Sequence, residues 1–383
     1  MLFAKINSKI RNKRFNAYHK YYPLVCERRD FRSNRKILVI ESDDWGSIRV
    51  SSLDAKKALM ARGYDMDSEP FESRDALESN RDVEELYSVL TKFKDKYGRH
   101  PVITANCLTA NPDFERIRES GFETYFFEPT SKTYQFYPDS ERVLDLVNKG
   151  IELGVFYPQF HGREHFNFNN WIEQLRLGTN EEFIQAFNYR MCGTISKKNP
   201  RLGNIFMPAL RYYSEDNKCK VVSSVLEGTR MFENQFGYKS KTFVAPCYWW
   251  SPAIEAVLSE NGVGMIQTDR AYGNCDDGQI YYHYSGEKNR YKQFYSVRNC
   301  MFEPAINRNG NEAERCFGQI KKAFANRKIA VVSSHRVNYV GRIVQQNRDD
   351  SLKQLEWLLN RVLRDFPDIE FMSSEKLYEE LYC

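Results

Sequence analysis

The sequence predicts an α/β protein with a parallel sheet, either doubly wound or closed into a barrel. Short apolar runs rich in β-branched residues alternate with longer amphipathic segments along most of the chain. Polar clusters follow several of these runs, at Asp43-Asp44, His161, Pro246 and His335, and the carboxyl ends of such strands are where α/β folds gather function. No internal repeat or low-complexity tract breaks the alternation after residue 36.

Taken in order, residues 37–40 form the first strand, wholly apolar and ending in the acidic cluster. Helices are predicted over 52–62 and 81–96; in the second, Val83, Leu86, Val89, Leu90 and Phe93 recur at helical spacing. A strand at 101–106, a helix near 140–152 and a strand running to Phe160 come next. The middle, 166–235, reads as mostly helical, with Asn170 or Asn180 as N-caps. Strands recur near 242–245, 263–267 and 329–333. The helix over 349–364 carries Leu352, Leu355, Leu358, Leu359 and Val362 on one face. A strand at 369–372 and a short helix close the chain. The segment 273–312 is aromatic and irregular, with Tyr281, Tyr282, Tyr284 and Tyr291, and reads as an inserted hairpin or lid.

Charge divides the chain in two. Residues 1–36 hold eleven Lys or Arg against Glu27 and Asp30, a balance of +9, which leaves the rest at −4 within a total of +5. We therefore expect a basic N-terminal arm, residues 1–35, and one mildly acidic domain over 36–383. The body lacks the basic, aromatic-studded face of a nucleic-acid binder. The arm could touch an anionic membrane surface, with Leu2, Phe3, Ile6 and Ile10 on one helical face opposite Lys5, Lys9 and Lys13. Nine cysteines, an odd number without a CxxC pair, indicate neither a disulfide framework nor a structural zinc cluster. With no signal-peptide pattern and no apolar stretch of spanning length, the expectation is a cytoplasmic protein, at most peripheral to the inner membrane.

Four constellations carry chemistry. In Glu41-Ser42-Asp43-Asp44-Trp45-Gly46-Ser47, two adjacent carboxylates close a buried strand; they suit a cation and a reacting group, though Asp and Gly are also ordinary turn residues. His161 and His165 are two of only six histidines. On a helical turn their spacing would place both rings on one face, able to grip one cation. In Phe243-Val244-Ala245-Pro246-Cys247-Tyr248-Trp249-Trp250, neighbouring tryptophans must point different ways, so at least one is expected at a cleft or loop. Finally, His335 closes the apolar run 329–332.

In this order the four resemble the polysaccharide deacetylases, the NodB-like carbohydrate esterases of the glycoside hydrolase and deacetylase superfamily. The resemblance covers about residues 36–375 and implies a distorted (β/α)7 barrel. It implies Asp44, His161 and His165 as ligands of one divalent metal, zinc first, with cobalt, nickel or iron as alternatives. It makes Asp43 the general base and His335 the general acid. Pro246, Cys247, Tyr248, Trp249 and Trp250 would face the substrate, an N- or O-acetylated sugar or polysaccharide, with the Cys247 N–H at the oxyanion. The family's fourth motif has no clear counterpart, Asp269 after the strand at 263–267 being the candidate, and the chain departs from the family in two further places. No arginine stands just before Pro246 to brace the catalytic aspartate, so Arg336 or Arg270 would have to serve. Trp45 also displaces the usual glycine to Gly46.

Three other readings compete. A glycoside hydrolase on a related barrel would use Asp43 as nucleophile, but needs a second carboxylate about 5–10 Å away, and none stands out. A non-catalytic carbohydrate-binding pseudoenzyme would keep the barrel without the chemistry. An iron oxygenase could share the two-His, one-carboxylate set, but the β/α alternation argues against it.

Overall fold

The structure, a computed structural model, describes residues 17–192, 205–307 and 310–381. Its centre is a parallel sheet built from β1 (Ile37–Trp45), β2 (Ile103–Cys107), β3 (Phe156–Phe160), β4 (Thr242–Val244), β5 (Met265–Thr268), β6 (Phe294–Val297), β7 (Cys300–Met301) and β8 (Ala330–His335), with β9 (Glu370–Met372) beside β1. The order across the sheet is β6-β5-β4-β3-β2-β1-β8-β7. Its two end segments are consecutive in sequence: β6 pairs with β5, and β7 with β8. One extended segment, 294–301, thus joins both ends and closes the sheet. Counted once, it makes seven strands, the expected (β/α)7 barrel with a distorted seam.

Side-chain alternation along β1 sorts residues to the two faces of the wall. Leu38 and Ile40 pack outward in the main core with Val83, Leu86, Leu355 and Leu359 of the surrounding helices. Ile37 and Val39 point the other way, joining Val331, Met372 and Leu377 in a separate apolar plug. The same parity sends Glu41 and Asp43 inward above that plug. Burying each of the helix leucines contributes about 1.5–3 kcal/mol, which holds Gln345–Asp365 against Asn80–Leu90.

Local signals place the helices well. Ser79 and Asp82 form a reciprocal capping box at Asn80–Leu90, and Asn180 caps Glu181–Asn188. Asn167, rather than Asn170, caps Phe168–Leu177: its side chain accepts the Asn170 N–H. The segment 273–312 divides. Ala271–Asn274 and Ile280–Tyr282 pair as an antiparallel hairpin, while residues 294–301 belong to the barrel wall.

Residues 17–29 form a helix laid against that hairpin, where His19 Nδ1 lies 2.8 Å from the Tyr282 hydroxyl and Tyr18 packs on the Tyr282 ring. Arg270 clamps the arm by donating two hydrogen bonds to Asp30, at 2.7 Å to each oxygen. The apolar face expected for Leu2, Phe3, Ile6 and Ile10 lies outside the described residues. Among the described residues, no helix is long and apolar enough to cross a membrane.

Candidate metal centre and cleft

The mouth of the barrel is set by an irregularity in β1. Ser42 pairs with Ala105 and Trp45 with Cys107, so Asp43 and Asp44 together oppose the single residue Asn106. A bulge of this kind re-aims side chains that would otherwise alternate. Asp44 takes a left-handed φ of 77°, a conformation that costs an ordinary residue about 1–2 kcal/mol and gathers at functional sites. Trp45, which displaces the family glycine, is buried and donates from Nε1 to Ser42 Oγ. Gly46 then turns the chain at φ 88°, where an added Cβ would meet Leu108 O at 3.0 Å.

His161 and His165 meet Asp44 from the end of β3. The spacing works without the expected helical turn: residues 161–166 are a loop bent at Gly162, whose φ is 115°. Register explains the approach. Phe160 sits between Cys107 and Phe243, so His161 emerges beside Val244. His161 Nδ1 lies 2.8 Å from Val244 O. A carbonyl only accepts, so Nδ1 carries a proton, which leaves Nε2 as the nitrogen able to ligate a metal. The ligand-type atoms of Asp44, His161 and His165 lie within 4.8 Å of one another. Asp44 Oδ1 and His161 Nε2 are buried with no hydrogen-bond partner among the described residues. Burial lowers the His165 pKa to about 4 against the pull of Asp44, so that ring is neutral at pH 7. A buried carboxylate beside two imidazoles, with polar atoms that no described residue satisfies, fits one divalent cation.

Asp43 stands one strand position from His335, its register partner in β8. Arg298 grips it through two bonds, Nη1 to Oδ2 at 2.6 Å and Nη2 to Oδ1 at 2.7 Å, while Nε reaches Glu41 Oε2 at 2.7 Å. Burial opposes the Asp43 charge, but Arg298 overrides it and holds the carboxyl below the usual range. Asn106 Nδ2 adds a bond to Oδ1 at 2.8 Å. The bracing arginine is therefore Arg298, on the seam of the barrel. Arg336 is committed to Asp75 and Glu78, and Arg270 to Asp30.

His335 Nε2 lies 4.0 Å from Asp43 Oδ2, and its Nδ1 lies 2.6 Å from Glu303 Oε1. Burial works against the imidazolium, but Glu303, then Asp44 and Asp43, lift its pKa to about 10. Asn338 Nδ2 donates to the other Glu303 oxygen at 2.8 Å, fixing the carboxylate behind the ring.

The Pro246 segment supplies the opposite wall. Cys247 and Tyr248 both adopt left-handed φ, 54° and 56°, and Tyr248 N–H closes the turn onto Ala245 O at 2.9 Å. Cys247 is an exposed residue; desolvation of its thiol, with Asp44 next, pushes it up to about 12, so it is no thiolate at neutral pH. Tyr248 Oη accepts from Arg298 Nη1 at 2.9 Å. Trp249 is half-buried, with the Arg211 guanidinium 4.5 Å from its ring centre. Trp250 departs from the substrate-facing expectation: it is fully buried, stacks on Tyr272 and donates Nε1 to Glu255. It follows the alternation of its short strand into the core. Asp269, another carboxylate after a strand, is exposed and accepts the Arg270 N–H.

Arg298 and Glu303 were not among the residues singled out in the sequence. The only sequence signal for them is an arginine and a glutamate bracketing the short apolar pair Cys300-Met301.

The closed seven-stranded parallel barrel gathers aspartates and histidines at its carboxyl mouth. The chain belongs to glycosyl hydrolase family 57, whose sequence pattern matches residues 12–299. No curated protein matches it in sequence. Its structure is similar to a 4-alpha-glucanotransferase from Thermococcus litoralis at 10% identity and TM-score 0.44, covering 91% of this chain and 40% of that one. It is similar to a probable polysaccharide deacetylase from Pseudomonas aeruginosa PAO1 at 10% identity and TM-score 0.44, covering 91% and 93%. A GH57-type branching enzyme from Pyrococcus horikoshii gives 11% identity and TM-score 0.39, covering 91% and 70%. The chain thus spans 40% of the glucanotransferase's length, and such low scores say nothing about activity. The family match itself supports the glycoside-hydrolase alternative better than the deacetylase reading.

Proposed function

We propose that the protein is a metal-dependent hydrolase that removes acetyl groups from an N- or O-acetylated sugar or polysaccharide. The reading is carried by the convergence of Asp44, His161 and His165, with polar atoms that no described residue satisfies, beside Asp43 and His335. Those three would hold one divalent ion, zinc first, and leave positions open for other ligands. When bound, the ion supplies Lewis acidity and makes water acidic near neutral pH.

The chain's own groups divide the remaining work. Arg298 keeps Asp43 ionised and pointed at the mouth, ready to accept a proton from the attacking water. The same grip lowers its basicity, so Asp43 suits a water that is already acidic. Glu303 keeps His335 protonated, ready to donate from Nε2 to the departing amine or alkoxide. The Cys247 N–H, held in its left-handed turn, would bond the oxyanion of the acetyl carbonyl. Cys247 itself is a neutral thiol and takes no nucleophilic part.

Glycoside hydrolysis is the second reading, favoured by the family match. It would use Asp43 as nucleophile and needs a second free carboxylate about 5–10 Å away. Arg298 occupies both Asp43 oxygens, while His335 and Asn338 occupy those of Glu303. Since the Arg298 grip would serve a nucleophile as well as a base, what favours acyl transfer is the Asp44, His161 and His165 trio, which hydrolysis by two carboxylates does not use.

Acetate and reducing ends should be assayed together on acetylated oligosaccharides, with and without chelator. Chelator-sensitive acetate release without new reducing ends supports the deacetylase. New reducing ends without acetate would replace it with the glycosidase. Neither product, with oligosaccharide still bound, would point to a carbohydrate-binding pseudoenzyme.

A further inference from the structure

We propose that Arg49 recognises an anionic group, a carboxylate or a phosphate, on the sugar that enters the cleft. The inference deepens the reading above and rests on it for where the acetyl group lies.

Arg49 follows β1 on the loop that leaves the Asp43-Asp44 bulge, and its side chain is half-buried. It lines a small cavity with Ser47, Glu164, His165, Cys192 and Met207. Its guanidinium carbon lies 5.1 Å from the centre of the Phe71 ring. That same ring meets His335 edge-on, with centroids 5.5 Å apart. Arg49 therefore stands at the mouth between His165 on one side and His335 on the other.

The contacts of this guanidinium set it apart. Arg298, Arg336, Arg348 and Arg163 are each matched by a carboxylate: Asp43, Asp75, Asp82 and Glu164. Arg49 makes no ion pair among the described residues. It touches the Met207 sulfur and the face of Phe71. Glu72, Asp44 and Asp75 act on it only through space. A thioether and an aromatic ring support the plane of a guanidinium but satisfy little of its donor edge, which has five N–H groups. Glu72, Asp44 and Asp75 favour this charge from a distance, but no carboxylate among the described residues bonds its donor edge, and leaving those half-buried N–H groups without acceptors is unfavourable. A bound carboxylate or phosphate would offset that cost with paired, charge-assisted bonds. A neutral sugar would not.

The test uses the full-length, metal-loaded protein and two matched substrate pairs. One pair is acetylated oligogalacturonate beside its methyl ester, and the other is N-acetylglucosamine 6-phosphate beside N-acetylglucosamine. Acetate release is measured for wild type, Arg49→Gln, Arg49→Lys and Arg49→Met, the last keeping an apolar stem to pack on Phe71. Calorimetric binding of unacetylated oligogalacturonate and of inorganic phosphate is measured alongside, with circular dichroism to establish folding. We expect wild type to favour one charged member over its neutral partner by roughly tenfold or more, as a bidentate arginine contact supplies. The glutamine and methionine variants should lose that ratio, and lysine should restore part of it. The pair that shows the preference identifies carboxylate or phosphate.

Equal handling of charged and neutral members by wild type, in turnover and in binding, overturns the proposal. So does a ratio that survives in a folded Arg49→Gln or Arg49→Met protein. Arg49-dependent anion binding without acetate release from any substrate would sink the deacetylase reading and leave the anion site standing. Acetate release indifferent to charge and to Arg49 would do the reverse.

Discussion

Replacing Arg298 with glutamine would leave two inward-facing carboxylates without their cation. In the wild type the guanidinium spends three N–H groups on them, at 2.6 and 2.7 Å to Asp43 and 2.7 Å to Glu41. All three side chains are buried. Removing one partner of a buried pair costs about 3–5 kcal/mol. Asn106 would still donate to Asp43 and Ser374 to Glu41, so the loss stays within that range, about 4 kcal/mol. The pH dependence has a definite sign. Arg298 depresses the Asp43 pKa in the folded state, so its contribution is full above the unfolded value near ~3.9 and is lost as pH falls through the lower folded value. In Arg298→Gln that folded value rises, and acid unfolding should begin at higher pH than in wild type. Urea denaturation at pH 7, with an acid-unfolding series from pH 5 down to pH 2, measures both effects. Acetate release should fall by about 10²-fold or more, because a misaligned or protonated Asp43 is no base. A variant within ~1 kcal/mol of wild type, with an unchanged acid limb, would refute the view that Arg298 braces the site.

Glu303→Gln removes the carboxylate that lifts the His335 pKa to about 10; the alkaline limb of kcat should move to lower pH, and a pH–rate profile with an unmoved limb would contradict the assignment. Trp250→Ala should destabilise by about 3–5 kcal/mol, as for other buried aromatics, with little change in KM; a large rise in KM would place Trp250 at the substrate after all. Glu370, held near a pKa of about 2 first by Arg35, contributes stability that is present above about pH 4.5 and fades as pH falls toward 2. Because Arg35 is partly exposed, Glu370→Gln should cost only about 1–2 kcal/mol at pH 7, and a loss that is the same at pH 3 in thermal melts would exclude this ion pair as the cause.

Most of the barrel was legible because its strands are fully buried and read as short apolar runs. The segment 294–301 was not, and with it went Arg298. That segment serves two neighbours in turn, β5 and then β8, with polar Arg298-Asn299 at the crossover. It has neither a continuous apolar run nor clean alternation, and so resembled a lid. The ligand set was legible as residue types at strand ends, yet its geometry was misjudged. Four-residue spacing suggested a helical turn, whereas Gly162 bends a loop to the same end. Glu303 is invisible in sequence because its role depends on a contact with His335, 32 residues away. Trp250 shows the converse error. Two adjacent aromatics looked like a substrate platform, but strand alternation gives one of them to the core.

We propose that Asp44, His161 and His165 hold one metal ion. Elemental analysis of the purified wild type beside His161→Ala and His165→Ala tests it directly, after equal exposure to zinc and removal of free ion. Wild type should retain about one equivalent of divalent metal per chain, as a site with one carboxylate and two imidazoles should hold, and either folded variant far less. Metal content that is the same in all three proteins, or absent from a folded wild type after zinc loading, would contradict it.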